Sequence, residues 1–132
     1  MPMTLVVPLP PNLANGRMHW RTKNARRQEY FEAVDMLALI KRIPPPPPMP
    51  FPKVTIAITL YLGAFMDDDN ALSRCKWPID WLVRRDYIAG DARKHCRLSI
   101  PNQKVKRNGV YAVELIVTPV ESETKAPASI EG

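Results

Sequence analysis

The chain has 132 residues, 45% hydrophobic and 24% charged, the balance of one globular domain with a modest core rather than of a disordered chain. Lys and Arg outnumber Asp and Glu by 19 to 13, a net charge of +6 with a pI of about 9.6, so a polyanion such as nucleic acid is the natural partner. No apolar run is long enough to cross a bilayer, the first residues lack a basic leader, and two cysteines are too few for a disulfide scaffold; a cytoplasmic protein with reduced thiols is expected.

In chain order, "TLVVPL" (4–9) reads as a short strand that Pro8 confines to a sheet edge or ends. A loop follows, with Asn15-Gly16 as a turn signal. Residues 24–42 carry a helical period that puts Tyr30, Ala33, Val34, Leu37 and Ile40 on one face. "PPPPPMPFP" (44–52) stops that helix; it reads as a stiff spacer or as a ligand for a proline-binding module. "KVTIAITLYL" (53–62) alternates cleanly, with Val54, Ile56, Ile58, Leu60 and Leu62 on one face, and is a strand.

A second helix runs from Lys76 or Pro78 to Tyr87, Pro78 being tolerated in its first turn. "KHCRLSI" (94–100) and "VYAVELIV" (110–117) read as two strands of a long hairpin closed by Asn108-Gly109. The polar tail, 121–132, is expected to be disordered. These elements predict a single mixed α+β domain over residues 1–120, with a mixed sheet of about four strands and two helices.

The charges are not spread evenly. "RMHWRTKNARR" holds Arg17, Arg21, Lys23, Arg26 and Arg27 with no acid among them, and a second basic group spans Arg93 to Arg107. Between them stands "MDDDN" (66–70). At roughly 4 Å and an effective dielectric near 20, each like-charged pair costs about 4 kcal/mol. The run is therefore either a solvated turn or the seat of a cation. On an extended chain Asp67 and Asp69 point one way and Asp68 the other, so the first two can converge on a hard cation such as Mg²⁺ or Mn²⁺. A calcium loop of the EF-hand kind is excluded, because Leu72 and Pro78 stand where it needs Gly and Glu. Asp91, returning where an element ends, is either a third metal-binding carboxylate or a turn residue. Lys76 and Asp80 are four apart on one helical face, as a surface ion pair or as a lysine placed to steady a phosphate.

The pattern D-x-D-N, then K-x-x-x-D-x-L, then an acid eleven residues on, formed here by Asp67, Asp69, Asn70, Lys76, Asp80, Leu82 and Asp91, resembles the RusA-type Holliday-junction resolvases of bacteria and their phages. "PPNLANGRMHW" also looks like the phage-encoded members, and the resemblance covers roughly residues 4 to 118. It implies a Mg²⁺-dependent homodimer that nicks four-way DNA junctions symmetrically, with Asp67, Asp69 and Asp91 on the metal and Lys76 as the catalytic lysine. Two departures stand out: Gly90 replaces one of a pair of acids, and about three extra residues separate Asn70 from Lys76.

Trp20 and His19, amid the first basic group, are candidates for stacking on unpaired bases. Trp77 and Trp81 suit a core or a dimer contact on the second helix. Three readings follow: a metal-dependent junction endonuclease, a non-catalytic DNA-binding protein of the same fold, and an interaction module using the proline run.

Overall fold

The computed structural model describes residues 2–10, 20–92, 94–105 and 111–120. The elements are β1 (Met3–Pro8), α1 (Trp20–Leu39), β2 (Val54–Leu62), α2 (Asp68–Arg74), α3 (Lys76–Arg84), β3 (Cys96–Leu98), β4 (Asn102–Val105) and β5 (Ala112–Pro119). They form one mixed five-stranded sheet in the order β1-β5-β2-β3, with β4 also beside β2, so the domain is mixed α+β as the sequence predicts. No described helix is long and apolar enough to cross a membrane. The tail from residue 121 lies outside the described residues.

β2 is central because its alternation is complete. All five residues of its apolar face are buried, whereas Thr55 and Ala57 on the other face are exposed. It pairs antiparallel with β5 on one side. On the other side it pairs parallel, Val54–Ile56 with β3 and Thr59–Leu62 with β4. The expected hairpin is corrected: β5 and the β3–β4 segment flank β2 rather than each other, and Pro101 interrupts the "KHCRLSI" strand before β4 begins. Residues 106–110, with Asn108-Gly109, lie outside the described residues. β1 is an edge strand, paired with β5 from Met3↔Val117 to Pro8↔Ala112, as Pro8 requires.

The helices cover the apolar sheet face. From α1, Tyr30, Phe31 and Val34 are buried, while Ala33 and Ile40 are exposed; the core stripe is shifted from the predicted one because α1 leaves the sheet at its last turn. Tyr30 donates its hydroxyl to the Pro8 carbonyl at 2.8 Å, tying α1 to β1. α1 and α3 end alike. Lys41 and Asp86 adopt left-handed φ of 63° and 65°, and the next residues reach back, Arg42 N–H to the Leu37 carbonyl and Tyr87 N–H to the Leu82 carbonyl. That is a Schellman ending built without glycine.

Trp77 and Trp81 belong to this chain's own core, at 4% and 2% exposure, which corrects their assignment to a dimer contact. The Trp81 ring packs on Tyr87, centroids 5.2 Å apart, and its Nε1 donates to Asp35 at 2.8 Å. Asp35 also accepts from Arg85 through both oxygens. Burial alone would raise the Asp35 pKa, but the donors Arg85 and Trp81 and the charges of Arg85 and Arg84 outweigh it and hold the carboxyl below its ordinary range. A depressed folded pKa adds stability above the unfolded value, near 3.9, and loses it as pH falls through the folded value. The melting-temperature gap between wild type and Asp35→Asn should be present at neutral pH and close below about pH 4. A gap constant through that range would refute the assignment. The site is largely exposed, so the effect is small.

Candidate functional site

The acidic run begins a helix. Asp67 is the N-cap of α2 at φ −69°, ψ 165°, and its carboxylate accepts the Asn70 N–H at 3.2 Å. Asp68 and Asp69 occupy the first turn, where the helix dipole favours negative charge. This corrects the expected alternation. Only Asp67 is extended, and in a helix each successive side chain turns by about 100°, so Asp67 and Asp69 diverge. The signal was legible: an Asp cap, acids in the first turn and the helix-forming "ALSR".

Asp69 instead shares a helical face with Ser73, four residues on. Ser73 lines a cleft of about 540 Å³ where three helices meet. Lys23, Asn24 and Arg27 enter it from α1, and Lys76, Trp77 and Asp80 from α3. Asp80 finds its counter-ion across the cleft, Arg27 Nη2 lying 3.4 Å from its Oδ2, not in Lys76 on its own helix. The Arg27 guanidinium also lies 4.7 Å from the centroid of the Phe31 ring, and Arg84 lies 4.9 Å from the same centroid. A surface pair of this kind contributes little stability, but it holds a cation in place beside Lys23 and Lys76. Asn24, Ser73 and Arg84 were missed from sequence; the four-residue spacing of Lys23 and Arg27 was the clue to which face mattered.

The remaining basic candidates divide. Arg17 and His19 lie outside the described residues, and of Trp20 only the backbone, opening α1, is within them. Arg21 is exposed in the first turn. Arg26 sits on the flank of α1, lining a depression with Thr22, Glu29 and Tyr30.

Asp91 is not brought to this cleft. A strand parallel to β2 must start where β2 starts, so α2 and α3 carry the chain back along the sheet. β3 then begins beside Val54, which pairs with Cys96, and Phe51 bridges Ile88. Asp67 follows the opposite end, where Met66 exchanges two hydrogen bonds with Gln103, the partner of Leu60. From Val54 to Leu60, at about 3.3 Å per residue, is about 20 Å. Among the described residues no three His, Cys, Asp or Glu side chains gather to hold a metal. Asp91 lines a separate cleft of about 410 Å³ with Cys96, Arg97 and Leu98. Burial and then the Asp91 charge push the Cys96 thiol up to about 11, and burial pushes Cys75 up to about 12. Gly90 has a local reason: a Cβ there would meet His95 Cδ2 at 2.9 Å, and that ring is held by its Nδ1 against the Pro52 carbonyl at 2.9 Å.

The donor chemistry at the start of α2 suits a hard cation within limits. Asp68 and Asp69 are exposed carboxylates with no nitrogen or sulfur ligand grouped with them. Mg²⁺ commonly takes only one or two protein carboxylates and fills its shell with water and substrate phosphate. The residues thus fit a cation that arrives with a phosphate, not a cage that binds metal alone. No protein-family model matches the chain, and no curated protein sequence matches it.

Proposed function

We propose that the protein is a Mg²⁺-dependent endonuclease, with Mn²⁺ a possible substitute, that acts as a homodimer on branched DNA and resolves four-way junctions by paired nicks. The observation that carries this reading is the cleft itself, where the basic start of α1 meets Lys76, Asp80 and the Ser73 face of α2 that also bears Asp69. A phosphodiester entering it would meet Lys23, Arg27 and Lys76, with Asn24 and Ser73 as neutral donors. Asp69, with Asp67 beside it, would hold the cation, which supplies an activated water and neutralises the phosphate charge. Lys76 would stand near the developing negative charge, and Asp80 would keep Arg27 turned into the cleft until phosphate competes for it.

A second reading, a non-catalytic DNA-binding protein, is favoured by one observation: Asp67 is engaged as a helix cap and Asp91 lies at the far end of β2. The deciding experiment incubates the protein with a synthetic four-way junction and a matched linear duplex, with and without Mg²⁺. Paired nicks in the junction alone support the first reading. Tight binding without nicks selects the second, and neither binding nor cleavage removes both.

Either reading expects binding that weakens steeply with salt. Each phosphate contact adds about 0.9 to the slope of log affinity against log salt on duplex arms. Lys23→Ala and Arg26→Ala should each flatten that slope by about one contact, and an unchanged slope in the double variant would remove α1 from the interface.

A further inference from the structure

The proline run between α1 and β2 has a burial pattern that neither nuclease nor DNA binding explains. Pro44, Pro47 and Pro50 are half-buried, while Pro45, Pro46, Pro48 and Met49 are exposed. One residue in three faces the body. Three is the period of the polyproline II helix, which consecutive prolines adopt because the ring fixes φ and restricts the residue before it. Ile43 is buried at the head of the strap, and the Tyr87 hydroxyl donates to the Pro44 carbonyl at 2.6 Å. One face is therefore seated, and the other two stand outward as ridges.

Those two ridges are what a polyproline-reading groove grips. Pro45 and Pro48 lie three apart on one ridge, and Pro46 and Met49 on the other, Met49 at 76% exposure. Arg42, three residues before Pro45, is exposed, and its guanidinium makes no ion pair among the described residues. The sequence Arg42-x-x-Pro45-x-x-Pro48 thus sets a cation at one end of an uncharged apolar rail, complementary to an aromatic groove with a carboxylate at its edge. The rail borders a cleft of about 570 Å³ lined by Pro46, Met36, Leu39 and Tyr87, where Met36 and Leu39 are 57% and 74% exposed. A partner seated on the strap would cover this apolar ground as well. Because the strap is already anchored, little conformational entropy would remain to be lost on binding.

We propose that residues 42–49 are a preformed docking ligand for a protein module that reads polyproline II through stacked aromatic side chains and an acidic pocket. The proposal is independent of the nuclease reading. To test it, the whole protein is titrated into an isotopically labelled SH3 domain that takes Arg-x-x-Pro-x-x-Pro peptides. Saturable shifts confined to the aromatic groove are expected. Pro45→Ala combined with Pro48→Ala, and separately Arg42→Ala, should weaken binding by about tenfold or more. Circular dichroism and thermal melting should find these exposed-site variants folded, and an SH3 domain lacking its groove tryptophan should give no shifts.

No groove shifts with wild type, or undiminished binding by the double variant, overturns the proposal. Binding by an excised 41–50 peptide that the whole protein fails to match overturns it too, since the groove would then need the seated face. A doubled mass in light scattering, lost in the same double variant, would assign the surface to a second copy instead and equally end the proposal.

Discussion

Asp69→Asn should abolish Mg²⁺-dependent junction cleavage while leaving junction binding intact or slightly tighter. Asp69 stands in the first turn of α2 on the face of Ser73, the residue through which α2 lines the basic cleft. A metal-binding carboxylate contributes several kcal/mol to stabilising a charged transition state, so its loss costs about three orders of magnitude in rate. Binding moves the other way, because removing a negative charge beside phosphate lowers repulsion. Asp67 needs two substitutions to read. Asparagine caps a helix about as well as aspartate, so Asp67→Asn removes charge and keeps the cap, whereas Asp67→Ala also loses about 1 kcal/mol of helix stability. Asp68→Asn should be mild; a requirement for Asp68 rather than Asp69 would overturn the assignment.

Asp91→Asn asks a different question. Within one chain Asp91 lies about 20 Å along β2 from the acidic run, too far to share its cation. Loss of cleavage in this variant would mean that the carboxylate serves a site on a second copy. Mixing Asp69→Asn with Asp91→Asn chains decides it. If each site is complete in one chain, the heterodimer has none intact; if two chains share each site, one intact site returns and nicks a single strand per junction.

How much was legible followed from which constraints are local. β2 was readable to within one residue because its five apolar positions keep a strict period of two. The proline stop, the Pro8 edge and Pro78 in a first turn were readable because ring chemistry acts on its own neighbours. α2 was missed although its cap was written in the sequence, because three adjacent acids were taken for extended chain. The position of Asp91 depends on a non-local fact, that β3 runs parallel to β2 and so starts at the opposite end of the sheet. No spacing within the chain reports strand direction. The meeting of Lys23 and Arg27 with Lys76 and Asp80 is likewise set by helix packing, which brings residues separated by 53 positions to 3.4 Å.

Trp81→Ala should be the most destabilising single substitution in α3. The side chain is 2% exposed, stacked on Tyr87 and bonded to Asp35, so truncation leaves a large cavity and strands an acceptor. Removing a buried aromatic of this size costs about 3–5 kcal/mol, a large share of the roughly 5–15 kcal/mol that holds a small domain folded. Trp81→Phe separates the two terms. It keeps most of the packing and loses the indole donor, and because Asp35 retains Arg85 the cost should be about 1 kcal/mol. Urea titration of both variants measures this directly. Lys76, Trp77 and Asp80 ride on the same helix, one turn from Trp81, so DNA affinity of the alanine variant should fall in step with its folded fraction. A Trp81→Ala protein as stable as the phenylalanine variant would mean that Tyr87 and the surrounding core close over the gap, and that α3 is held mainly by Trp77 and Leu82.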